Sequence, residues 1–341
     1  MHSYLNLGKA FGGYLMRRNL QHMIVHVTNH CNFRCEHCYI DFSPKKDLTL
    51  AELSDLGKRV GRLFWLDIGG GEPFLRKDLA EIIASFDHQV VQIPTNGSLP
   101  ELVLENLARL KRLVSSEITI SLSLDGLPET HEKIRGHEGN WDEVWGTFEK
   151  IRSSIGGVSI KINTVITTSN VQEIIPLMKE VRRRNPDFHS LILLRGTPME
   201  SRVALPPLDE LRRLAPEVFS ILATYSYGQN PFVSHILRNY HRYLWKVSLK
   251  TIEQQGQVVP CQAGKFHMIV MGDGRVSSCE MLEPIGSIRT QTWDEIKQSA
   301  AFKNQVKSIE AGECHCTHNC AMLGSILLNP TQTVKLVRQR I

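Results

Sequence analysis

Short apolar or β-branched runs alternate with longer amphipathic stretches from residue 24 to residue 196. Residues 24–28, 65–69, 89–95, 117–124, 158–166 and 190–195 have the length and composition of buried strands. The stretches between them carry helix-start signals, such as Thr49 with Glu52 three residues on, and Asn170 with Glu173. Strands each followed by a helix predict a parallel α/β architecture. Six such units are fewer than the eight that close a full barrel, so the pattern fits a partial (β/α)6 barrel or an open sheet. Either form binds ligands at the C-terminal ends of its strands. After about residue 200 the rhythm changes. Pro206 and Pro207 introduce a helical stretch near 208–223, and a second amphipathic one runs over 231–253. Residues 266–271 and 275–279, joined by Gly272-Asp273-Gly274, read as a β-hairpin, with Cys261 and Cys279 near its open end. The chain divides accordingly into an N-terminal extension (1–20), the α/β unit (21–200), a helical connection (201–255), a hairpin-plus-helix segment rich in cysteine (256–325) and a tail (326–341).

Composition narrows the class. At 341 residues the chain is long enough for about two domains, and 42% hydrophobic with 22% charged residues excludes disordered, collagen-like and coiled-coil readings. No window approaches 18 uninterrupted apolar residues, and the start lacks a hydrophobic run ending in a cleavage site. A cytoplasmic protein without a membrane span is therefore expected. The net charge of +5 is modest, and the Arg182-Arg183-Arg184 run ends a helical pattern, where cations suit the helix dipole. It reads as a solvated face, and no nucleic-acid partner is expected. In a reducing compartment the eight cysteines point to metal or catalysis, not to a disulfide framework. Three form one cluster at Cys31, Cys35 and Cys38; the others are Cys261, Cys279, Cys314, Cys316 and Cys320. Two separated clusters suggest two sites.

Cys31-Asn-Phe-Arg-Cys35-Glu-His-Cys38 follows the first strand, and three thiolates leave open a position that structural zinc closes with a fourth ligand. A zinc knuckle completed by His30 or His37 is the alternative. The CxxxCxxC spacing resembles that of radical S-adenosylmethionine enzymes, in which three cysteines hold a four-iron cluster whose open iron chelates S-adenosylmethionine. Gly69-Gly70-Gly71-Glu72-Pro73 at the second strand end is similar to that family's GGE motif; the resemblance implies that Gly70, Gly71, Glu72 and Pro73 contact the methionine amino group. Thr95-Asn96-Gly97 and the stretch from Ser121 to Gly126, followed by His131 to Gly136, resemble further segments that line the cofactor. Carried across, Asn96 would line the cofactor, Ser123 would bond ribose or carboxylate, Arg135 would pair with the methionine carboxylate, and Asn163 is a further ribose candidate. The bland alternatives are a small residue in a crowded barrel for Ser123 and a surface ion pair for Arg135.

The second cluster opens with Cys261, twelve residues, Gly274, four residues and Cys279. This arrangement resembles the auxiliary-cluster extension called SPASM, or its shorter form called twitch, and Gly286 with Trp293-Asp294-Glu295-Ile296 continues the likeness. The closing Cys314-His-Cys316-Thr-His-Asn-Cys320 has too few cysteines for two auxiliary clusters, so the resemblance implies one auxiliary [4Fe-4S] cluster. Four ligands are needed and five cysteines are available. Zinc bound with His315 or His318 is the alternative. Together the resemblances imply an enzyme that cleaves S-adenosylmethionine reductively and abstracts hydrogen from a substrate C–H bond, supplied with electrons by a flavodoxin or ferredoxin. A peptide substrate, ending in a crosslink, oxidation or epimerisation, is the first reading, although no extra domain for grasping a leader peptide is evident. A small-molecule dehydrogenase is the second, and a non-catalytic iron–sulfur or zinc scaffold the third. Arg195, at the sixth strand end, is expected either to contact an anionic part of the substrate or to form an ion pair at the barrel mouth.

Overall fold

The computed structural model describes residues 20–227, 231–327 and 329–338; the N-terminal extension lies outside them apart from its last residue. Six parallel strands run in chain order as β1 (His22–Thr28), β2 (Leu63–Gly70), β3 (His88–Thr95), β4 (Glu117–Ser123), β5 (Val158–Ile166) and β6 (Phe188–Leu193). The helices between them are α1 (Leu50–Val60), α2 (Leu79–Ala84), α3 (Pro100–Leu113), α4 (Pro128–Arg135), α5 (Asn140–Ser154) and α6 (Ile174–Arg184). This is the expected partial barrel.

Side-chain alternation separates two faces. On β1, Met23, Val25 and Val27 join the main core beneath the helices, while His22, Ile24 and His26 face a central cavity. The same holds for Leu66 against Trp65 and Asp67 on β2, and for Ile160 and Ile162 against Lys161 and Asn163 on β5. The barrel interior therefore carries polar groups where a closed barrel packs aliphatic layers.

Local signals explain several boundaries. Thr49 and Glu52 form a reciprocal capping box at the start of α1. Asn170 does not cap α6 as its spacing suggested. Its Oδ1 accepts the Thr167 N–H, a 3-10 turn (Val171–Glu173) intervenes, and Glu173 is drawn to the Leu127 N–H and the Thr130 hydroxyl. The three arginines end α6, where Arg183 and Arg184 pair with Glu180, Arg182 reaches Thr224, and Asn185 closes the helix at φ 57°.

The C-terminal half comprises α7 (Leu208–Leu222), α8 (Pro231–Gln254), β7 (His267–Val270), β8 (Arg275–Ser277), β9 (Gly286–Ser287), α9 (Trp293–Gln298), α10 (Ala300–Glu310), α11 (Asn319–Leu327) and α12 (Pro330–Arg338). The hairpin of β7 and β8 forms as expected, with Gly274 at φ 92° in its turn. What sequence patterning did not suggest is that β7 pairs in parallel with β1, from His22 opposite His267 to Val25 opposite Val270. The sheet thus has nine strands among the described residues, ordered β6-β5-β4-β3-β2-β1-β7-β8-β9. Residues of α8 (Leu237, Tyr240, His241, Leu244) and α11 (Asn319, Cys320, Leu323) complete the wall of the cavity.

Candidate cofactor sites and the central cavity

The loop after β1 carries Cys31, Cys35 and Cys38, and all three line a cavity of about 460 Å³ together with Glu72, Arg135, Ser123 and Asn163. Burial raises all three thiols, Cys35 up to about 12, and the Cys38 charge adds to the rise at Cys31 and Cys35. Buried thiols this reluctant to ionise are suited to a cation strong enough to displace their protons. Three converging thiols with no fourth cysteine or histidine bonded to them fit a cluster with one open iron. Of the two histidines in the zinc alternative, His30 is exposed and His37 lies 3.8 Å from Asp125.

The glycines beside this loop serve close backbone approach. Gly70 has φ 104°, and a Cβ there would stand 2.1 Å from the Thr28 carbonyl oxygen; at Gly71 it would stand 2.0 Å from the His30 carbonyl oxygen. The Gly71 N–H donates to Thr28 O at 2.8 Å and the Glu72 N–H to His30 O at 2.9 Å. These amides are thus spent on the cysteine loop, while the Glu72 carboxylate lines the cavity beside Gly69, Gly70 and Gly71. Its Oε1 accepts the Phe74 N–H at 3.2 Å and its Oε2 the Asn96 N–H at 2.8 Å. Burial nevertheless raises the Glu72 carboxyl to about 7. A desolvated carboxylate aimed at a cavity favours an ammonium. Pro73 is buried at the start of the 3-10 turn (Pro73–Leu75) that holds Glu72 in place.

Asn96 lines the cavity, but its side chain braces the cysteine loop by donating to Asn32 Oδ1 at 2.9 Å. Arg135 is buried, and its Nε and Nη2 both reach Asp125 Oδ2, at 2.8 and 2.5 Å. The carboxylate it holds in this structure is therefore Asp125, the cavity-side counterpart of the ion pair considered from sequence. Ser123 and Asn163 are register partners across β4 and β5, and Asn163 Oδ1 is buried without a partner.

Arg195 lines the central cavity and forms an ion pair at the barrel mouth. Its Nη2 donates to the Tyr39 hydroxyl at 3.1 Å and lies 3.6 Å from Glu280 Oε2, so it joins the β6 end to the C-terminal segment. Glu280 also meets His26 Nε2 at 3.0 Å and His318 Nε2 at 2.8 Å. Cationic neighbours hold its buried carboxyl well below the usual range despite desolvation. Sequence reading passed over Glu280, His26, Tyr39 and Asp67, because isolated residues from distant segments carry no spacing signal. That Glu280 directly follows Cys279 was the only available hint.

The C-terminal cysteines fall into two places. Cys261, Cys279 and Cys314 pack around Ala263 and Ile309, and the Cys316 charge raises the thiols of Cys261, Cys279 and Cys314. Gln257 ties the loops together: its Nε2 donates to the carbonyls of Ile309 and Cys314, and its Oε1 accepts the Cys261 N–H. Four neighbouring thiols are the donor set of a closed four-iron cluster. His318 is a neighbour of this group, with Nδ1 3.8 Å from Cys279 Sγ, while His315 lies outside it, against Gln255. Cys320 does not join the group. It lines the central cavity, where its thiol donates to Asp67 Oδ2 at 3.3 Å.

Comparison with known proteins gives two family matches, "Radical SAM superfamily" over residues 25–202 and "Iron-sulfur cluster-binding domain" over residues 248–321. Mycofactocin maturase MftC of Mycolicibacterium smegmatis is 32% identical over 156 residues, covering 43% of this chain and 38% of that protein. GTP 3',8-cyclase of Rhizobium meliloti is 32% identical over 219 residues, 58% of this chain and 59% of that one. The match thus spans less than two thirds of either relative. Among solved structures, native anSMEcpe with bound AdoMet and Cp18Cys peptide superimposes with a TM-score of 0.58 at 17% identity, covering 85% of this chain and 83% of that one, a likeness of fold. No described helix is long and apolar enough to cross a membrane.

Proposed function

Because the chain belongs to the radical SAM superfamily, we propose that it cleaves S-adenosylmethionine reductively to a 5′-deoxyadenosyl radical and directs that radical at a C–H bond of a peptide. The family carries a [4Fe-4S] cluster with S-adenosylmethionine, and the second matched segment carries auxiliary iron–sulfur. The observation that carries the reading is the convergence of Cys31, Cys35, Cys38, Glu72 and Arg135 on one cavity that also runs on past Asp67 and Lys161 into the barrel. When bound, the cluster and its cofactor supply the electron and the radical, chemistry no side chain provides.

The protein's own residues position and shield. Glu72, with both oxygens fixed by backbone N–H groups, accepts the methionine ammonium. Arg135, steadied by Asp125, lends positive charge beside the thiolates and presents its remaining nitrogen to the methionine carboxylate. Ser123 and Asn163 offer a hydroxyl and an amide to the ribose. Cys261, Cys279, Cys314 and Cys316 hold one auxiliary [4Fe-4S] cluster, with zinc as the alternative occupant. The cavity walls from α8 and β6, including Phe188, Tyr240 and His241, exclude water from the reacting carbon.

A relative named as a maturase and a fold neighbour solved with a peptide support the peptide reading, and the reaction would end in a crosslink, an oxidation or an epimerisation. Similarity to a GTP cyclase favours a small-molecule substrate as the second reading. A low-potential one-electron donor of the flavodoxin or ferredoxin kind, in the cytoplasm, completes the scheme. The test is anaerobic reconstitution, iron counting and reduction in the presence of S-adenosylmethionine. About eight irons per chain, as two four-iron clusters, and formation of 5′-deoxyadenosine are expected. Cys35→Ala should abolish 5′-deoxyadenosine, and peptides, but not nucleotides, should accelerate its formation. A fully loaded protein that forms none with either class overturns the proposal.

A further inference from the structure

Cys320, left over from the two cysteine groups, stands in a cluster of its own. It is the second residue of α11, and the carboxylate its thiol meets, Asp67 Oδ2, also lies 2.9 Å from His22 Nε2. Ligating atoms of His22, Asp67 and Cys320 all lie within 4.8 Å of one another. A tetrahedral zinc-class ion with bonds of about 2.0–2.3 Å holds its ligand atoms roughly 3.3–3.7 Å apart, so small side-chain shifts would bring all three to one centre.

The three come from separate fixed elements. His22 and Asp67 sit on β1 and β2, interior strands of the sheet, and Cys320 on the helix that covers the cavity. All three face the cavity, which leaves a fourth coordination position open to it.

A second observation points to the same place. Asp67 Oδ1, His22 Nδ1 and both ring nitrogens of His267 are buried without hydrogen-bond partners, and the His22 and His267 rings are 5.8 Å apart. Buried polar atoms are nearly always satisfied, and of these Asp67 Oδ1 is the one that a cation held by the same carboxylate would satisfy. Lys161, whose charge acts on both Asp67 and Cys320, donates its Nζ to Gln92 Oε1 at 2.5 Å on β3. An imidazole, a carboxylate and a thiolate suit a borderline divalent cation, and three protein ligands with a vacant fourth position are the pattern of sites that bind substrate.

We propose that His22, Asp67 and Cys320 form a third metal position, for zinc or a zinc-like divalent cation, whose open coordination site binds an anionic, thiolate or carbonyl group of the substrate inside the barrel. The proposal rests on the assignment of Cys261, Cys279, Cys314 and Cys316 to the auxiliary cluster.

The experiment adds zinc to the fully reconstituted holoenzyme, removes excess by desalting, and measures zinc and iron together with the zinc K-edge spectrum. One zinc per chain is expected, with a single sulfur among nitrogen and oxygen ligands and no loss of iron. Cys320→Ala and His22→Gln should each weaken zinc binding at least about ten-fold while iron stays at the wild-type level; the second variant serves if the first does not fold. Absence of retained zinc, undiminished zinc in both variants, or a sulfur-rich spectrum overturns the site. Loss of four irons in Cys320→Ala overturns it differently, by returning that thiol to the auxiliary cluster, and leaves the radical reading standing.

Discussion

Gly71 lines the cavity and is closely confined by backbone. With the His30 carbonyl oxygen 2.0 Å from where a Cβ would stand, Gly71→Ala must push the loop that carries Cys31 away from β2. We expect most iron at the first site to be lost while the auxiliary iron stays, with a stability cost of about 2 kcal/mol or more. Total iron and the urea unfolding midpoint measure both, and wild-type iron in this variant would refute the account. The same reasoning separates Glu72 from its glycines: they set where it stands, and desolvation sets what it will bind.

At the scale of elements, the auxiliary site is built from loops that single side chains tie together. Gln257, just beyond α8, replaces backbone pairing among three loops with its own three hydrogen bonds. Gln257→Ala leaves two carbonyls and one N–H to find other partners, at about 1 kcal/mol each. The expected result is faster loss of the auxiliary iron to a chelator, with first-site iron and 5′-deoxyadenosine formation nearly unchanged. Equal rates of iron loss in variant and wild type would count against it. The pairing of β7 with β1 belongs to the same scale: it fastens the auxiliary segment to the strand that leads into Cys31.

Over the whole molecule, buried histidines set the response to acid. His131 is lowered to about 4, and His189 and His241 to about 3, in each case first by burial. In the unfolded chain they titrate near 6.5, so between that value and the folded values the unfolded state binds more protons and stability is lost as the pH is lowered. At pH 5.5 each costs roughly 1 kcal/mol relative to pH 7.5. Glu72 works in the opposite sense: its folded value of about 7 exceeds the unfolded 4.5, so its penalty is relieved on acidification. From these four groups the metal-free protein should therefore lose a net of about 1–2 kcal/mol from pH 7.5 to 5.5, measured as urea unfolding free energy with an unchanged slope. A flat profile would show that these histidines are not held neutral.

Local and periodic features were legible from the chain itself. Strands β1 to β6, the capping box of α1, the hairpin turn and both cysteine clusters follow from residues close in sequence, where spacing and conformational preference act directly. Asn170 misled because its side chain found a nearer partner in the Thr167 N–H than a helix amide. Whatever depends on distant segments meeting was settled by packing. The tertiary structure joined β7 to β1, committed Arg195 to Tyr39 and Glu280, and turned Arg135 to Asp125. It also divided the five C-terminal cysteines, placing Cys320 beside Asp67, 253 residues away in sequence. Sequence fixes which chemical groups are present and which neighbours share a turn or a face; only the folded chain decides which buried charge answers which, because that pairing is the lowest-energy way to desolvate them together.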